Sequence, residues 1–265
     1  MASCCLLVIA CGADRHSGAG SRTEGQDAII VMNGDDPEFF WRSSTQMALR
    51  ALAEAPLAGA RGELTGTPLL ASDEGRRLLS YVVLCALPAG ESLHEGEAGA
   101  SLEGMVGLAP GWTSAPLQGV EAQRWVTACL LQTLNGLSMD VELRMTGSHP
   151  VLSGRGGAAA SEFTTPDTTM FGNVFDPDGP AAFACIDNVD VTVCGVDWSA
   201  HSLQRICGLS PTCGATLLGP CSLSCAHAED GHATCDTPEG DRYAEAISTR
   251  LHSGLSLDLL APCSP

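Results

Sequence analysis

Apolar positions recur at helical spacing through the first two-thirds of the chain, interrupted by shorter stretches that alternate like strands. Asp27–Met32 is a compact apolar run of strand length, closed by turn chemistry at Asn33-Gly34-Asp35-Asp36. Asp36-Pro37-Glu38 then places an acid at an N-cap, proline at the first helical position and an acid in the first turn. That predicts a helix running to about Ala55, with Phe40, Met47, Ala48, Ala51 and Leu52 on its buried face. Ser72, Asp73 and Glu74 open a second helix. Its stripe of Leu78, Leu79, Val82, Val83 and Ala86 is stopped by Pro88-Ala89-Gly90. Residues 91–104 are acidic and glycine-rich and read as a hairpin or exposed loop, and Gly107–Trp112 as a compact apolar turn. Glu121–Leu137 is apolar on most sides, the mark of a central helix. Met139–Met145 alternates without a break and predicts a half-buried strand. Residues 163–175 read as extended, with Phe171–Phe175 entering the core.

From Pro177 the pattern changes. Helical signals fade and cysteines crowd in: seven fall between Cys185 and Cys235, and Cys263 follows. Ala181–Cys185 and Val189–Val196 are expected to pair as a hairpin across Asp187-Asn188. Arg242–Leu251 reads as a short helix, and Leu255–Leu259 as a strand closing a sheet edge. The fold class implied is α+β: a mixed helical and antiparallel-sheet body over residues 27–180, with a disulfide-rich, loop-rich subdomain over 181–265 packed on it. Residues 1–26 form a signal and a small, polar tether.

The signal reading rests on Val8-Ile9-Ala10-Cys11, which resembles the lipobox of bacterial lipoproteins, a family whose cysteine carries the lipid after cleavage. The resemblance implies lipidation at Cys11, a membrane partner through that anchor, and an outer-membrane or cell-surface location, because Gly12 stands where an aspartate favours inner-membrane retention. No Lys or Arg precedes Cys11, and the apolar run is shorter than a full secretory core. Of thirteen cysteines, setting aside Cys4, Cys5 and Cys11 leaves Cys85, Cys129, Cys185, Cys194, Cys207, Cys213, Cys221, Cys225, Cys235 and Cys263. That even set suits full pairing in an oxidising compartment. Composition narrows the partners. The net charge is −18 and every fixed cation is Arg, so nucleic acid is excluded as an expected partner. No later segment has the roughly 18 uninterrupted apolar residues of a membrane span.

Leu78–Gly90 (LLSYVVLCALPAG), Gly107–Trp112 (GLAPGW), Arg124–Asn135 (RWVTACLLQTLN), Met170–Phe175 (MFGNVF) and the Cys-rich tail together resemble an uncharacterised family of secreted, Cys-rich bacterial lipoproteins. That resemblance implies location and build, and no activity.

Several constellations carry candidate chemistry. Cys85 and Cys129 lie on two apolar helices and suit one helix-to-helix disulfide. The alternative makes Cys129 a nucleophile with His149 as base and Asn173 as orienter, a chain order resembling papain-like proteases. However, Ala128-Cys129-Leu130 lacks that family's glycines, and a thiolate needs an electropositive, polar setting. Cys221, Cys225, His227, His232 and Cys235 are metal ligands by type, but their spacing is not that of a zinc site. Asp176 with Asp178, or Asp187 with Asp190, offers weak calcium binding without the full EF-hand series, so solvated turns are the simpler reading. Glu142 and Glu162 are a nominal carboxylate pair. Trp112 and Trp198 are candidate binding aromatics, whereas Trp125 belongs to the core of its helix. Gly-x-Ser-x-Gly and His-Glu-x-x-His are absent. The function expected is a non-enzymatic binding or structural role toward an envelope or surface ligand. The alternative is a secreted hydrolase using Cys129 and His149 or an acidic cleft.

Overall fold

A computed structural model describes residues 29–96, 99–137, 140–153, 161–187, 192–193, 196–208, 213–227 and 233–252. In chain order the elements are β1 (Ile29–Asn33), α1 (Pro37–Phe40), α2 (Ser43–Ala53), α3 (Asp73–Ala86), β2 (Ser92–His94), β3 (Ser101–Glu103) and α4 (Val120–Thr133). Next come β4 (Val141–Thr146), β5 (Thr165–Asn173), β6 (Ala181–Ile186), β7 (Thr192–Val193), β8 (Val196–Asp197), α5 (Trp198–Cys207) and β9 (Thr216–Pro220). The chain continues with α6 (Cys221–Ser224), β10 (Cys225–His227), β11 (Ala233–Asp236), β12 (Arg242–Tyr243) and β13 (Ile247–Leu251). Helices and mixed sheets make the fold α+β.

Local chemistry sets the helix starts. Asp36 Oδ1 accepts the Glu38 N–H at 2.9 Å, and Ser72 Oγ accepts the Gly75 N–H at 3.0 Å, each satisfying an end-of-helix donor. The helix expected over 37–55 is broken at Trp41-Arg42 into α1 and α2. The break rotates the second half, so Thr45, Ala48, Leu49, Leu52 and Ala53 face inward and Met47 is exposed. α4 is buried from Trp125 to Thr133 and is the central helix its sequence predicts.

Six strands form the main sheet in the order β1-β4-β13-β5-β6-β9, antiparallel except for the β6–β9 pair. One face packs on α4, with α3 beside that helix, through Val31, Val141, Leu143, Met145, Met170, Ile247 and Leu251. The opposite face, over β5 and β6, carries Phe171, Phe183 and Cys185 beneath the small sheet β10-β11-β12 and Tyr243. Strand alternation serves both sides at once: Met170 goes to the helices and Phe171 to the Cys-rich layer.

Three expectations are corrected. Arg242–Leu251 is not a helix, because Ile247–Leu251 is a central strand. Ile247, Thr249 and Leu251 are buried against the helices, and flanking strands override the local preference of Ala244–Ala246. The hairpin of 181–185 with 189–196 does not form, because β6 already has β5 on one edge and β9 on the other; β7 and β8 pair with each other. The division at residue 180 does not separate two cores. β6, β9 and β13 belong to the main sheet, and Ile206, Cys207 and Ala215 sit in the same apolar cluster as α4. The 91–104 stretch is a hairpin, β2 with β3. Leu255–Leu259 lies outside the described residues, as do Cys4, Cys5, Cys11, Cys194 and Cys263.

Candidate functional site

The most concentrated polar chemistry in the core is built by a β-bulge. Ser248 pairs with Thr169 and Arg250 with Pro166, so Asp167 and Thr168 on β5 together oppose the single residue Thr249 on β13. A bulge breaks alternation and re-aims a side chain. Here it turns both Asp167 and Thr168 toward Thr249 and the helices. Arg205 of α5 meets them. Its Nη2 donates to Asp167 Oδ2 at 2.6 Å, Thr168 Oγ1 at 2.8 Å and Gln132 Oε1 at 3.1 Å. Its Nη1 donates to the carbonyls of Gln132 (3.1 Å) and Leu134 (3.0 Å). Ser202 donates to the other oxygen of Asp167 at 2.7 Å, and Thr249 donates within the same group.

The cluster also completes a helix end. The last four carbonyls of an α-helix lack intrahelical donors. In α4, Leu130 O accepts from Thr133 Oγ1, Leu131 O from the Leu134 N–H, Gln132 O from Arg205, and Thr133 O from the Gly34 and Asp35 N–H groups. Gly136 follows at a close approach. Its N–H donates to Arg205 O, and a Cβ there would sit 2.3 Å from Gly208 Cα. Arg205 is 1% exposed and Asp167 0%. A group so enclosed cannot meet a solute, so the arrangement locks α5 and α4 to the sheet.

On the opposite face two disulfides lie against each other. Cys185–Cys221 and Cys225–Cys235 bring Cys185 Sγ to 3.6 Å from Cys225 Sγ, among Phe171, Phe183 and Tyr243. Beside them Thr169 donates to Asp187 Oδ2 at 2.8 Å, its oxygen lies 2.7 Å from Ser248 Oγ, and His227 Nε2 lies 3.7 Å from Asp187 Oδ1. Burial raises the Asp187 carboxyl above its ordinary range, an effect the Thr169 hydroxyl and His227 partly offset. In this line the hydroxyls reach the carboxylate and the histidine sits beyond it, which is the reverse of an activated nucleophile, where the base contacts the hydroxyl.

Two smaller features complete the polar inventory. Asp35 is buried with Oδ2 unpartnered. Burial and neighbouring Asp36 push its carboxyl well above the usual range, and the nearby Tyr81 hydroxyl is pushed up as well. A cleft of about 390 Å3 is lined by Arg61, Glu63, His94, Gly96 and Gly99. Glu63 Oε2 there accepts from the Arg61 backbone N–H at 2.9 Å, so its carboxylate serves its own turn.

The residues singled out by sequence do not converge. Cys129 is bonded to Cys85 at an S–S distance of 2.02 Å, so it carries no thiol, and the papain-like arrangement is overturned. His149 packs its ring edge-on to Trp125, and burial lowers its pKa. Asn173 donates to Gln123 Oε1 at 3.0 Å and accepts from the Phe175 N–H. Trp112 is not a binding aromatic: it is 2% exposed, its Nε1 donates to Ala55 O at 3.0 Å, and it meets Phe175 edge-on. The side chain of Trp198 lies outside the described residues, as do Asp190 and His232. Asp176 Oδ1 accepts from the Asp178 N–H at 3.0 Å, an exposed turn closing on itself. Glu162 lies 3.1 Å from His252, and Glu142 is exposed on β4. Cys207–Cys213 is the fourth disulfide observed. Cys221, Cys225 and Cys235 all sit in disulfides, so the zinc reading loses its thiolates. Among the described residues no three His, Cys, Asp or Glu gather as a metal site, and no helix is long and apolar enough to cross a membrane.

Sequence reading missed Gln132, Asp167, Thr168, Arg205 and Thr249. A signal existed: Thr164–Thr169 is a polar run inside a segment otherwise entering the core, which a regular buried strand does not tolerate. Compared with known protein families, curated proteins and solved structures, the chain matches none.

Proposed function

We propose that this chain is an exported protein of the cell envelope, anchored through Cys11, with a binding or structural role rather than a catalytic one. The observation that carries this reading is sulfur chemistry. Four disulfides are present among the described residues, and Cys85–Cys129 bridges α3 to α4 in the middle of the helical core. Reducing cytosol keeps such thiols unpaired, so a chain stapled at its centre supports the reading of an oxidising compartment. The non-catalytic part draws support from Cys129, which has no thiol, and from the Asp187–His227 pair, where the Thr169 hydroxyl reaches the carboxylate and not the histidine.

Fractionation of expressing cells tests both halves. The parent chain should sediment with membranes and resist thiol labelling without reductant, while Cys11→Ala should move to the soluble fraction. A Cys11→Ala variant that still sediments removes the anchor, and rapid labelling of Cys129 without reductant removes the oxidised core and restores the hydrolase reading.

A further inference from the structure

The half of the main sheet outside the Cys-rich layer holds two arginines side by side. β4 and β13 run antiparallel with Arg144 directly opposite Arg250. Leu143, Met145 and Leu251, their neighbours along the strands, point into the helical core, so both arginines leave the opposite face. Directly opposed residues hold their Cβ atoms about 4.5–5.5 Å apart, and like charges so placed repel. With 31 acidic residues against 13 cations, this chain supplies a carboxylate to almost any arginine that needs one. Arg144 has taken none. It makes no ion pair or hydrogen bond among the described residues, and its Nε is buried without an acceptor. Glu142 stands on the same face two residues away, exposed and unused. Burial and Arg250 together lower the Arg144 pKa, with no carboxylate opposing them. Arg250 Nη1 donates to Thr164 O at 3.1 Å, a carbonyl on the β5 side of β13, which leaves its remaining N–H donors for a ligand. Asp187 feels the Arg250 charge through space but forms no ion pair with it.

We propose that Arg144 and Arg250 form a binding site for a tetrahedral oxyanion, a phosphate or sulfate group. Each guanidinium offers a fork of N–H donors matched to such a group. A dianion neutralises both charges, where one carboxylate leaves a charge over, and the carboxylate already at hand in Glu142 is passed by. The site stands apart from the question of export, because its test uses only the purified chain.

Calorimetric titration of the full chain near neutral pH, at fixed ionic strength, with sodium phosphate, sodium sulfate and sodium acetate decides the matter. Phosphate or sulfate should bind with a Kd on the order of 1 mM, and acetate at least about tenfold more weakly. Arg144→Gln and Arg250→Gln should each weaken the oxyanion by about tenfold or more. Which of phosphate and sulfate binds tighter identifies the group. Acetate binding as tight as either, no heat from any of the three up to about 50 mM, or binding untouched by both substitutions overturns the proposal. Melting temperature without oxyanion separates a ligand site from a structural one. Arg144→Gln should equal or exceed the parent, because an unneutralised charge is gone, whereas loss of a structural role lowers it in every buffer.

Discussion

Replacing Arg205 by Met tests whether the bulge cluster holds the fold together. The substitution removes five hydrogen bonds, one to the Gln132 carbonyl in the last turn of α4 and one to the Leu134 carbonyl just beyond it. It leaves the Asp167 carboxylate fully buried, with only Ser202 and the threonine hydroxyls for company. Stranding one partner of a buried pair costs about 3–5 kcal/mol. Each carbonyl left without a donor adds about 1–3 kcal/mol where the site cannot relax or admit water. These costs overlap, and a net loss of about 4–5 kcal/mol is expected. Domains have only about 5–15 kcal/mol of stability in total, so the variant should survive on its disulfides with a much lower urea midpoint.

The measurement is urea unfolding without reductant, followed by the fluorescence of the buried Trp112 and Trp125. The paired change Asp167→Asn with Arg205→Met removes both charges together, and it should cost less than the sum of the single changes by about 2 kcal/mol or more. An Arg205→Met variant within about 1 kcal/mol of the parent, or strict additivity in the double variant, would refute the claim that a charge-neutralised cluster ties α4 and α5 to the sheet.

Other expectations are as direct. Replacing Cys85 and Cys129 together by Ala opens a loop of 44 residues' separation and should cost about 4 kcal/mol on the chain-entropy estimate; an unchanged urea midpoint would contradict it. Burial holds the Asp35 carboxyl above its unfolded value, so ionisation opposes folding. That penalty is absent below the ordinary carboxylate pKa, grows as pH rises toward the raised folded value, and is constant above it. Asp35→Asn should therefore match the parent near pH 3, roughly, and be more stable near neutrality by about 1–3 kcal/mol. Equal stability at both pH values counts against this. Peptide mapping of unreduced protein should join Cys194 to Cys263, the two cysteines left when the four observed pairs and Cys4, Cys5 and Cys11 are set aside. Ile186 and Leu251, which lead toward them, end their strands at the same end of the sheet with β5 alone between them. Alkylation of either before reduction refutes that pairing.

What could be read in advance was whatever local chemistry decides. The caps of α1 and α3, the central helix α4 and the alternation of β4 all declare themselves within a few residues. What stayed hidden depends on partners distant in sequence. Arg242–Leu251 looks helical because Ala244, Ala246 and Arg250 favour a helix, and its second half becomes a strand because β4 and β5 leave a gap between them that only a strand fills. Nothing local to Arg205 announces its burial, because its counter-charge comes from the bulge at Asp167, 38 residues away. Trp112 reads as open until Ala55 O is seen to take its N–H. The pairing of Cys85 with Cys129 was legible because each lies on a recognisable apolar helix. The pairing within Cys185–Cys235 was not, because no spacing rule distinguishes one bridge from another there.

The position of β13 links the disulfides to the main fold. β4 and β5 are never neighbours; each pairs with β13, which arrives only after the whole Cys-rich stretch has been passed. Until β13 docks, β1–β4 and β5–β6 are separate halves, and Asp167 lacks the Thr249 hydroxyl that helps hold it. Closing a long excursion costs chain entropy that rises with its length. The bridges Cys185–Cys221 and Cys225–Cys235 shorten the excursion between Asn173 and Ile247, and the first also fastens it to β6, the strand beside β5. Oxidation therefore acts on the sheet itself as well as on the tail: it lowers the entropy cost of inserting the one strand that joins the two halves. Reduction should accordingly loosen β13 and expose Gln132, Asp167 and Arg205, which connects a polar cluster in the core to sulfur chemistry on the far face of the same sheet.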